Sequence, residues 1–383
     1  MKVLMISLDR TCLREGSSQR EKLLRYGALF DELHVVIFYS GTRLPDRLEC
    51  APNVFVYPTN HFFRFNPFYF YRAFRIASRV IRRRQFTPSR DVVTAQDSFP
   101  TGVVAYALKI AFGISFQLQI HIDFFNPYFV RESLWHRLQA ACARFLAPRA
   151  DGVRVVSNGI ARYVREELAV DPRKISIVPV TPDMRAIADA EPRFDLRARY
   201  PQFPFIALMA CRLVKQKGAG RALDAMRILA RTHPEAGLII VGSGPEEWRL
   251  KRTVVDMGLK NVIFVPWAED VVSYYKGADV FLLPSLYEGW GLTVVEAMAA
   301  GLPVIATPVG CVPDLIDSGK NGFILPTGSP LEIADAIGML CADSGLAKKI
   351  GRAAEASVFA RMPYTAGAYE LAYKNALSYA ISG

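Results

Sequence analysis

Two glutamates in the second half of the chain flank a stretch suited to meeting an anion. In VFLLPSLYEGWGLTVVEAMAAGLPVIATP (residues 280–308), the apolar, β-branched start reads as a buried strand ending at Pro284. A loop with Gly289 and Gly291 follows, then a helix from about Leu292 to Ala300, stopped by Gly301 and Pro303. The free amides at the start of that helix, Gly291, Leu292 and Thr293, together with its dipole, suit a diphosphate. Glu288 precedes the helix, and Glu296 lies inside it, roughly 7 Å along the axis from Gly291. Carboxylates accept hydrogen bonds from vicinal hydroxyls, so one Glu can hold a sugar and the other a ribose.

A second cluster lies upstream. ALMACRLVKQKGAGRALDA (residues 207–225) reads as a strand, a loop with Arg212, Lys215, Lys217 and Gly218, then a helix. Cations on a loop at the carboxyl end of a strand suit a diphosphate leaving group. GLIIVGSGPEE (residues 237–247) ends another strand with Gly242 and Gly244, and NVIFVPWAED (residues 261–270) ends a third at Pro266 and Trp267.

Glu288 and Glu296 form a Glu-x7-Glu pattern, and the sequence around them resembles the family 4 retaining glycosyltransferases. The resemblance is strong over residues of about 205–330 and architectural elsewhere. It implies an α/β protein of GT-B architecture, two doubly wound Rossmann-like domains facing each other across a cleft. It further implies that Glu288 contacts the donor hexose and Glu296 the nucleotide ribose. Arg212 and Lys217 look like the family's Arg-x4-Lys pair on the diphosphate, and Gly242 and Gly244 match its usual strand–turn. Backbone around Pro266 and Trp267 is where the family reads the base. The chain departs from the pattern at Cys211, where the family usually has Gly. It departs again after the first strand, where paired glycines give way to Gly16, Ser17 and Ser18. Gly16 is left to bring backbone to the donor phosphate. His121, in QLQIHIDFFNP, matches a His that the family often places near the transferred hexose; Asp97, in AQDSFPTG, is a further candidate at a strand end.

These residues need a scaffold. Short apolar runs alternate with helix-like segments: KVLMISL, LHVVIFY, NVFVYP, DVVTAQ, SFQLQIHI and GVRVVS, then PFIALMAC, GLIIVGSG, NVIFVPW, DVFLLPS and LPVIATP. Strand–helix alternation implies parallel sheets with right-handed crossovers, and two such sets imply two domains. The expected division is 1–182 for an acceptor-side domain and 183–362 for a nucleotide-sugar domain. A terminal helix, 363–383, packs back on the first domain. The Pro- and charge-rich stretch 178–205 reads as the linker.

The chain has 383 residues, 51% hydrophobic and 22% charged, about right for two packed domains. Its charge is lopsided. Residues 1–190 carry 27 Lys and Arg against 17 Asp and Glu, which accounts for +10 of the net +11. An anionic partner would therefore meet the first half. The stretch HFFRFNPFYFYRAFRIASRVIRRRQF (residues 61–86) reads as a helix capped by Asn66 with Pro67 in its first turn. Arg72, Arg75, Arg79, Arg82 and Arg83 form one stripe, opposite Phe70, Phe74, Ala77, Val80 and Ile81. The stripe is expected to meet anionic headgroups while Phe62, Phe63, Phe65 and Phe68 enter the interface. No recognisable module supports nucleic-acid binding.

No apolar run is long enough to span a bilayer, and the N-terminus reads as a strand rather than a signal peptide. Six scattered cysteines suggest buried thiols in the cytoplasm, with the protein able to sit on the inner membrane face. No Asp-x-Asp, HExxH or His/Cys spacing appears, so no metal or cofactor is expected. The expected reaction is transfer of a hexose from a UDP- or GDP-sugar to a saccharide or lipid-linked acceptor in cell-envelope synthesis. The resemblance implies retention by front-face attack; a double displacement would need an opposite carboxylate, for which Asp97 is the one candidate. A sugar-nucleotide epimerase of the same architecture or a non-catalytic membrane-surface scaffold are the competing readings. Neither accounts for Glu-x7-Glu together with the Arg/Lys pair. The missing G-x-G-x-x-G argues against a nicotinamide oxidoreductase.

Overall fold

The computed structural model describes residues 1–60, 68–362 and 367–382. The chain divides into two compact units, Met1–Pro179 with Thr365–Gly383, and Val180–Tyr364. The first holds an eight-stranded sheet: β1 (Lys2–Ser7), β2 (Glu32–Ile37), β3 (Leu48–Ala51), β4 (Val54–Pro58), β5 (Val92–Ala95), β6 (Ser115–Ile120), β7 (Gly152–Val155) and β8 (Ile175–Ile177). The second holds β9 (Phe205–Ala210), β10 (Ala236–Val241), β11 (Val262–Val265), β12 (Val280–Leu283), β13 (Val304–Ala306) and β14 (Phe323–Ile324). Strand order is β3-β4-β2-β1-β5-β6-β7-β8 in one sheet and β11-β10-β9-β12-β13-β14 in the other. β3 runs antiparallel to β4, and the other pairs are parallel.

Helices cover both faces of a parallel sheet, so its central strands are continuous apolar runs. Every residue of β9, β10 and β12 is buried. The order reverses at β1 in the first sheet and at β9 in the second. In such sheets ligands bind beyond the carboxyl ends of the strands, at the reversal. The reversals fall between β1 and β5 and between β9 and β12, so the loops that follow those strands are the ones to inspect.

Three strands, β3, β8 and β14, lie at sheet edges and are not signalled by the apolar pattern. Each is two to four residues long and largely half-exposed, so no continuous apolar run marks it.

Residues 178–205 do more than link. They form two short helices, Met184–Ala188 and Leu196–Arg199, whose first turns are capped by the side chains of Asp183 and Asp195. The first packs against helix Leu292–Ala299, and the second against helix Val272–Gly277. The Arg193 amide also donates to Ser273 Oγ at 2.7 Å. Single-turn helices show no sustained period, which is why the stretch reads as a loop.

The terminal helix, Ala368–Ser382, packs on β5, β6 and β7 of the first unit; its expected start at Pro363 lies outside the described residues. The contact is polar and tight. Gln117 Nε2 donates to the Ala376 carbonyl at 2.7 Å, and Gln119 Nε2 to the Tyr373 hydroxyl oxygen at 3.0 Å. A Cβ on Gly152 would come within 2.7 Å of Ala380 Cβ. Gly152→Val should therefore push the helix off β7 at a cost of about 1–3 kcal/mol. Hydrogen exchange would show faster exchange across 368–382 than in the native chain, and unchanged exchange there would refute the packing argument.

Candidate functional site

In the second unit the loops after β9 and β12 close on each other. After β9 come Cys211 and Arg212, a single 3-10 turn at Lys215–Lys217, and Gly218, which starts helix Ala219–Leu229. Gly218 has a φ of 68°, and a Cβ there would lie 2.1 Å from the Pro284 carbonyl oxygen, so only glycine fits. The Leu286 amide donates to the Gln216 carbonyl at 2.8 Å, and Gln216 Nε2 donates to the Tyr287 carbonyl at 2.8 Å. This stitching brings Lys217 Nζ to 2.6 Å from Glu288 Oε1, which also accepts from Ser285 Oγ at 2.8 Å. Glu288 is 6% exposed. Arg212, at the mouth of the loop, is exposed and has no ion-pair partner among the described residues.

Gly291 (φ 91°) begins helix Leu292–Ala299, and no side chain caps it. Its first amides, at Leu292 and Thr293, therefore point out of the helix start beside the Glu288 loop. Gly289 is buried in that loop. Glu296 is held from behind, where the buried Tyr275 donates its hydroxyl proton to Glu296 Oε2 at 2.8 Å. Burial raises the Glu296 carboxyl above its ordinary value, partly offset by that hydrogen bond.

Gly242 and Gly244 serve the same closure. A Cβ on Gly242 would meet the Cys211 carbonyl oxygen at 2.0 Å, and one on Gly244 the Leu213 carbonyl oxygen at 2.3 Å. They press the turn after β10 onto the Arg212 loop. Pro266 and Trp267 follow β11 on the surface, and Trp267 is 73% exposed.

The first unit places its candidates at the carboxyl ends of β1, β5 and β6. Gly16 (φ 71°) sits in an exposed turn with open space where a Cβ would be. It precedes helix Ser18–Gly27, capped by Ser17. His121 Nε2 is 3.1 Å from Gln119 Oε1. Burial, reinforced by Arg154 and Lys22, holds its imidazole well below the ordinary value, so it is neutral at physiological pH. His121, Lys22 and Arg154 line a small cavity of about 70 Å³ together with Ser7, Asp9 and Gln119. Asp97 has a structural task, accepting from the Thr101 amide at 3.2 Å where helix Thr101–Phe112 begins. Burial pushes its carboxyl up to about 6.

The arginine helix spans Phe68–Arg83; Phe62, Phe63, Phe65, Asn66 and Pro67 lie outside the described residues, as does the Phe68 side chain. Ala73, Ala77, Val80 and Ile81 are buried and Phe70 and Phe74 half-buried, so the expected apolar face packs inward. The stripe splits. Arg72, Arg75, Arg79 and Arg83 line a groove of about 630 Å³, whereas Arg82 stacks over Phe112, 5.5 Å from its ring centre.

Sequence reasoning did not find Ser285, Tyr275 or Arg154. Ser285 could have been suspected from its place on the same loop as Glu288. Tyr275 and Arg154 sit in buried runs with no local sign of a partner. Among the described residues, His233, Glu235 and Cys341 are near enough to hold a metal ion, their ligand atoms all within 4.8 Å of one another. They lie at the amino end of β10, opposite the Arg212 and Glu288 loops. Among the described residues no helix is long and apolar enough to cross a membrane.

Comparison with known proteins agrees with this geometry. A model described as glycosyl transferases group 1 matches residues 197–357, and one described as Glycosyltransferase Family 4 matches residues 28–184. The chain is 28% identical over 237 residues to a 2-deoxystreptamine glucosyltransferase of Streptomyces kanamyceticus, covering 59% of this chain and 61% of that one. It is 32% identical over 167 residues to the UDP-Gal:alpha-D-GlcNAc-diphosphoundecaprenol alpha-1,3-galactosyltransferase of Escherichia coli, covering 42% and 43%. These matches span about half the length of the curated relatives. Among solved structures, sucrose-phosphate synthase from Thermosynechococcus elongatus superposes with a TM-score of 0.77 at 21% identity, over 97% of this chain and 96% of that one. With two doubly wound units and both halves matched by these models, the chain belongs to the family 4, group 1 glycosyltransferases of GT-B fold.

Proposed function

We propose that this protein is a retaining, metal-independent glycosyltransferase that takes a hexose from a UDP- or GDP-linked donor. The acceptor is a saccharide or lipid-linked saccharide of cell-envelope polysaccharide or glycolipid synthesis. The observation that carries this reading is the stitched pair of loops at the β9/β12 reversal. Half-buried Lys217 and buried Glu288 meet at 2.6 Å, with Arg212, which has no ion-pair partner among the described residues, and an uncapped helix start beside them. The donor's anomeric C–O bond breaks toward the diphosphate. Arg212, Lys217 and the Leu292 and Thr293 amides meet the charge that grows there, which stabilises the transition state more than the ground state. The acceptor oxygen attacks from the same face, and its proton passes to the leaving phosphate. Glu288 accepts from the hexose hydroxyls and Glu296 from the ribose, while the Pro266–Trp267 backbone borders the base. Neutral His121 offers the hexose a hydrogen bond rather than a charge. The printed name of the E. coli relative, with a UDP-sugar donor and a diphosphate-linked lipid acceptor, supports the same class of substrates. Work on such an acceptor would place the protein in the cytoplasm, at the inner membrane face.

Thermal denaturation with a metal-free panel of nucleoside diphosphates tests the donor site. One base should stabilise the chain, by about 2.7 kcal/mol at a hundredfold excess over Kd. Glu296→Ala should abolish that shift. Folded protein with no shift for any base would favour the non-catalytic reading.

Lys217→Met and Glu288→Gln should each lower kcat/KM by about 10²–10³-fold. Because the two side chains share one bond, the double variant should lose far less than the product of the single losses. Independent, multiplying losses would show that the pair does not act as a unit.

Asp97→Asn separates the two routes to retention. Asp97 titrates near 6 in the folded chain against an ordinary 3.8, so ionising it costs stability as pH rises through that window. The Asn variant should therefore melt higher than the native chain at pH 7, with the advantage gone below about pH 4. Front-face attack predicts near-native kcat for it; a loss of several orders of magnitude would instead mark Asp97 as the nucleophile.

A further inference from the structure

The groove of about 630 Å³ in the first unit has the size of a ligand site and an uncompensated charge. Six arginines line it. Arg47 is paired with Glu49 at 3.0 Å and Arg84 with Glu32 at 3.3 Å. Arg72, Arg75, Arg79 and Arg83 have no ion-pair partner among the described residues. The one acid in the lining, Asp46, faces Asn60 Nδ2 at 3.5 Å.

These four arginines occupy successive turns of helix Phe68–Arg83, so their stems are about 5–6 Å apart along one stripe, and Arg75 lies over the ring of Tyr71, itself part of the lining, at 5.7 Å. Tyr57 and Pro58, at the carboxyl end of β4, also line the groove; the Tyr57 hydroxyl is 3.1 Å from His34 Nδ1, and its ring lies against that imidazole. That end of the sheet is also the end that bears Gly16, Asp97 and His121. A planar anionic surface would touch a convex stripe, including Arg82. This lining is concave, and Arg82 is turned away from it onto Phe112. Guanidinium forks bind phosphate oxygens in pairs, so four of them suit two adjacent phosphates, each clamped by two arginines.

We propose that this groove binds the diphosphate of a lipid-linked saccharide acceptor, with Arg72, Arg75, Arg79 and Arg83 on its phosphates and Tyr57 against the attached sugar. The proposal rests on the transferase reading and names the acceptor chemistry for it. The ligand enters head first and leaves its lipid outside, so affinity comes from the diphosphate and not from the charge of a bilayer.

Calorimetric titration of the full chain with geranyl diphosphate and geranyl monophosphate, beside co-sedimentation with phosphatidylcholine vesicles with and without phosphatidylglycerol, tests it. Geranyl diphosphate should bind at least tenfold tighter than the monophosphate. The exposed-residue double variant Arg75→Gln/Arg79→Gln should lose at least tenfold in that affinity. Arg82→Gln, and Lys217→Met in the donor loops, should each stay within twofold of the native chain. The double variant should keep its melting temperature and its nucleotide-induced shift, which separates the groove from the donor site. Equal binding of the two geranyl ligands would overturn the proposal. So would an unaffected double variant, an equal loss in Arg82→Gln, or binding confined to anionic vesicles. A chain that binds geranyl diphosphate in the groove but no nucleotide would overturn the transferase reading and leave the groove standing.

Discussion

The second unit depends on one close approach, that of Gly218 to the Pro284 carbonyl. A side chain at residue 218 would hold the loops after β9 and β12 apart, and the 2.6 Å bond between Lys217 and Glu288 could not form. A partly buried ion pair is a poor source of stability, because desolvating both charges offsets most of their attraction. Its worth here is positional. The Lys217 ammonium, the Ser285 hydroxyl and the Glu288 carboxylate fix one another's rotamers, and the cation is presented beside the open helix start at Gly291. Gly242, Gly244 and Gly310 repeat the device: each would bring a Cβ within 2.3 Å of a carbonyl oxygen on a neighbouring loop. Glycines that look like ligand-approach residues are thus also the residues that let loops approach one another.

The first unit is organised around a buried charge that has no carboxylate partner among the described residues. Arg154, 2% exposed, donates to Gln119 Oε1 at 2.7 Å, the Val178 carbonyl at 2.8 Å and the Tyr369 hydroxyl at 3.1 Å, and its Nε has no partner. Neutral acceptors and the rings of Tyr369 and Tyr373 take the place of an anion. The charge is felt by its neighbours. Burial pushes the Tyr369 hydroxyl up, yet Arg154 and Lys22 outweigh it and hold that hydroxyl below its ordinary value. Burial holds the His121 imidazole well below its ordinary value, and the same two cations reinforce it. This polar layer is what ties the terminal helix to β6 and β7, so the chain's last residues belong with its first.

The charge excess of the first half has a specific geometry. As a sum, +10 over residues 1–190 says only that an anion is welcome there. In the fold, some of those cations are spent on Glu32, Glu49, Asp31 and Asp151, and Arg82 lies over a ring. Four of the rest, Arg72, Arg75, Arg79 and Arg83, share one concave lining. The helical period correctly separates the apolar face from the basic one, but it cannot tell which arginines of a five-membered stripe face a groove. That is decided by Phe112 on one side and by the Asp46–Arg47 segment and Tyr57 on the other.

The amino-acid sequence determined the elements and the donor-loop chemistry. Buried parallel strands are rich in apolar, β-branched residues, so each strand with two neighbours was visible as an apolar run, in β6 and β7 one interrupted by Gln117, Gln119 and Arg154. Glycines, cations and carboxylates at strand ends were visible because turn chemistry and charge are local. The edge strands β3, β8 and β14 escaped because LECA, ISI and FI are too short or too mixed to form an apolar run, whereas the edge strand β11 was visible as the all-apolar VIFV. Helices Met184–Ala188 and Leu196–Arg199 escaped because a single turn held by an Asp cap has no period. Only the tertiary structure decided the long-range pairings: Tyr275 with Glu296, Lys217 with Glu288, and Arg154 with Tyr369 across 215 residues. A side chain's partner depends on which loops the sheet order brings together. That order is set by the packing of whole strands and helices, and no residue carries it locally.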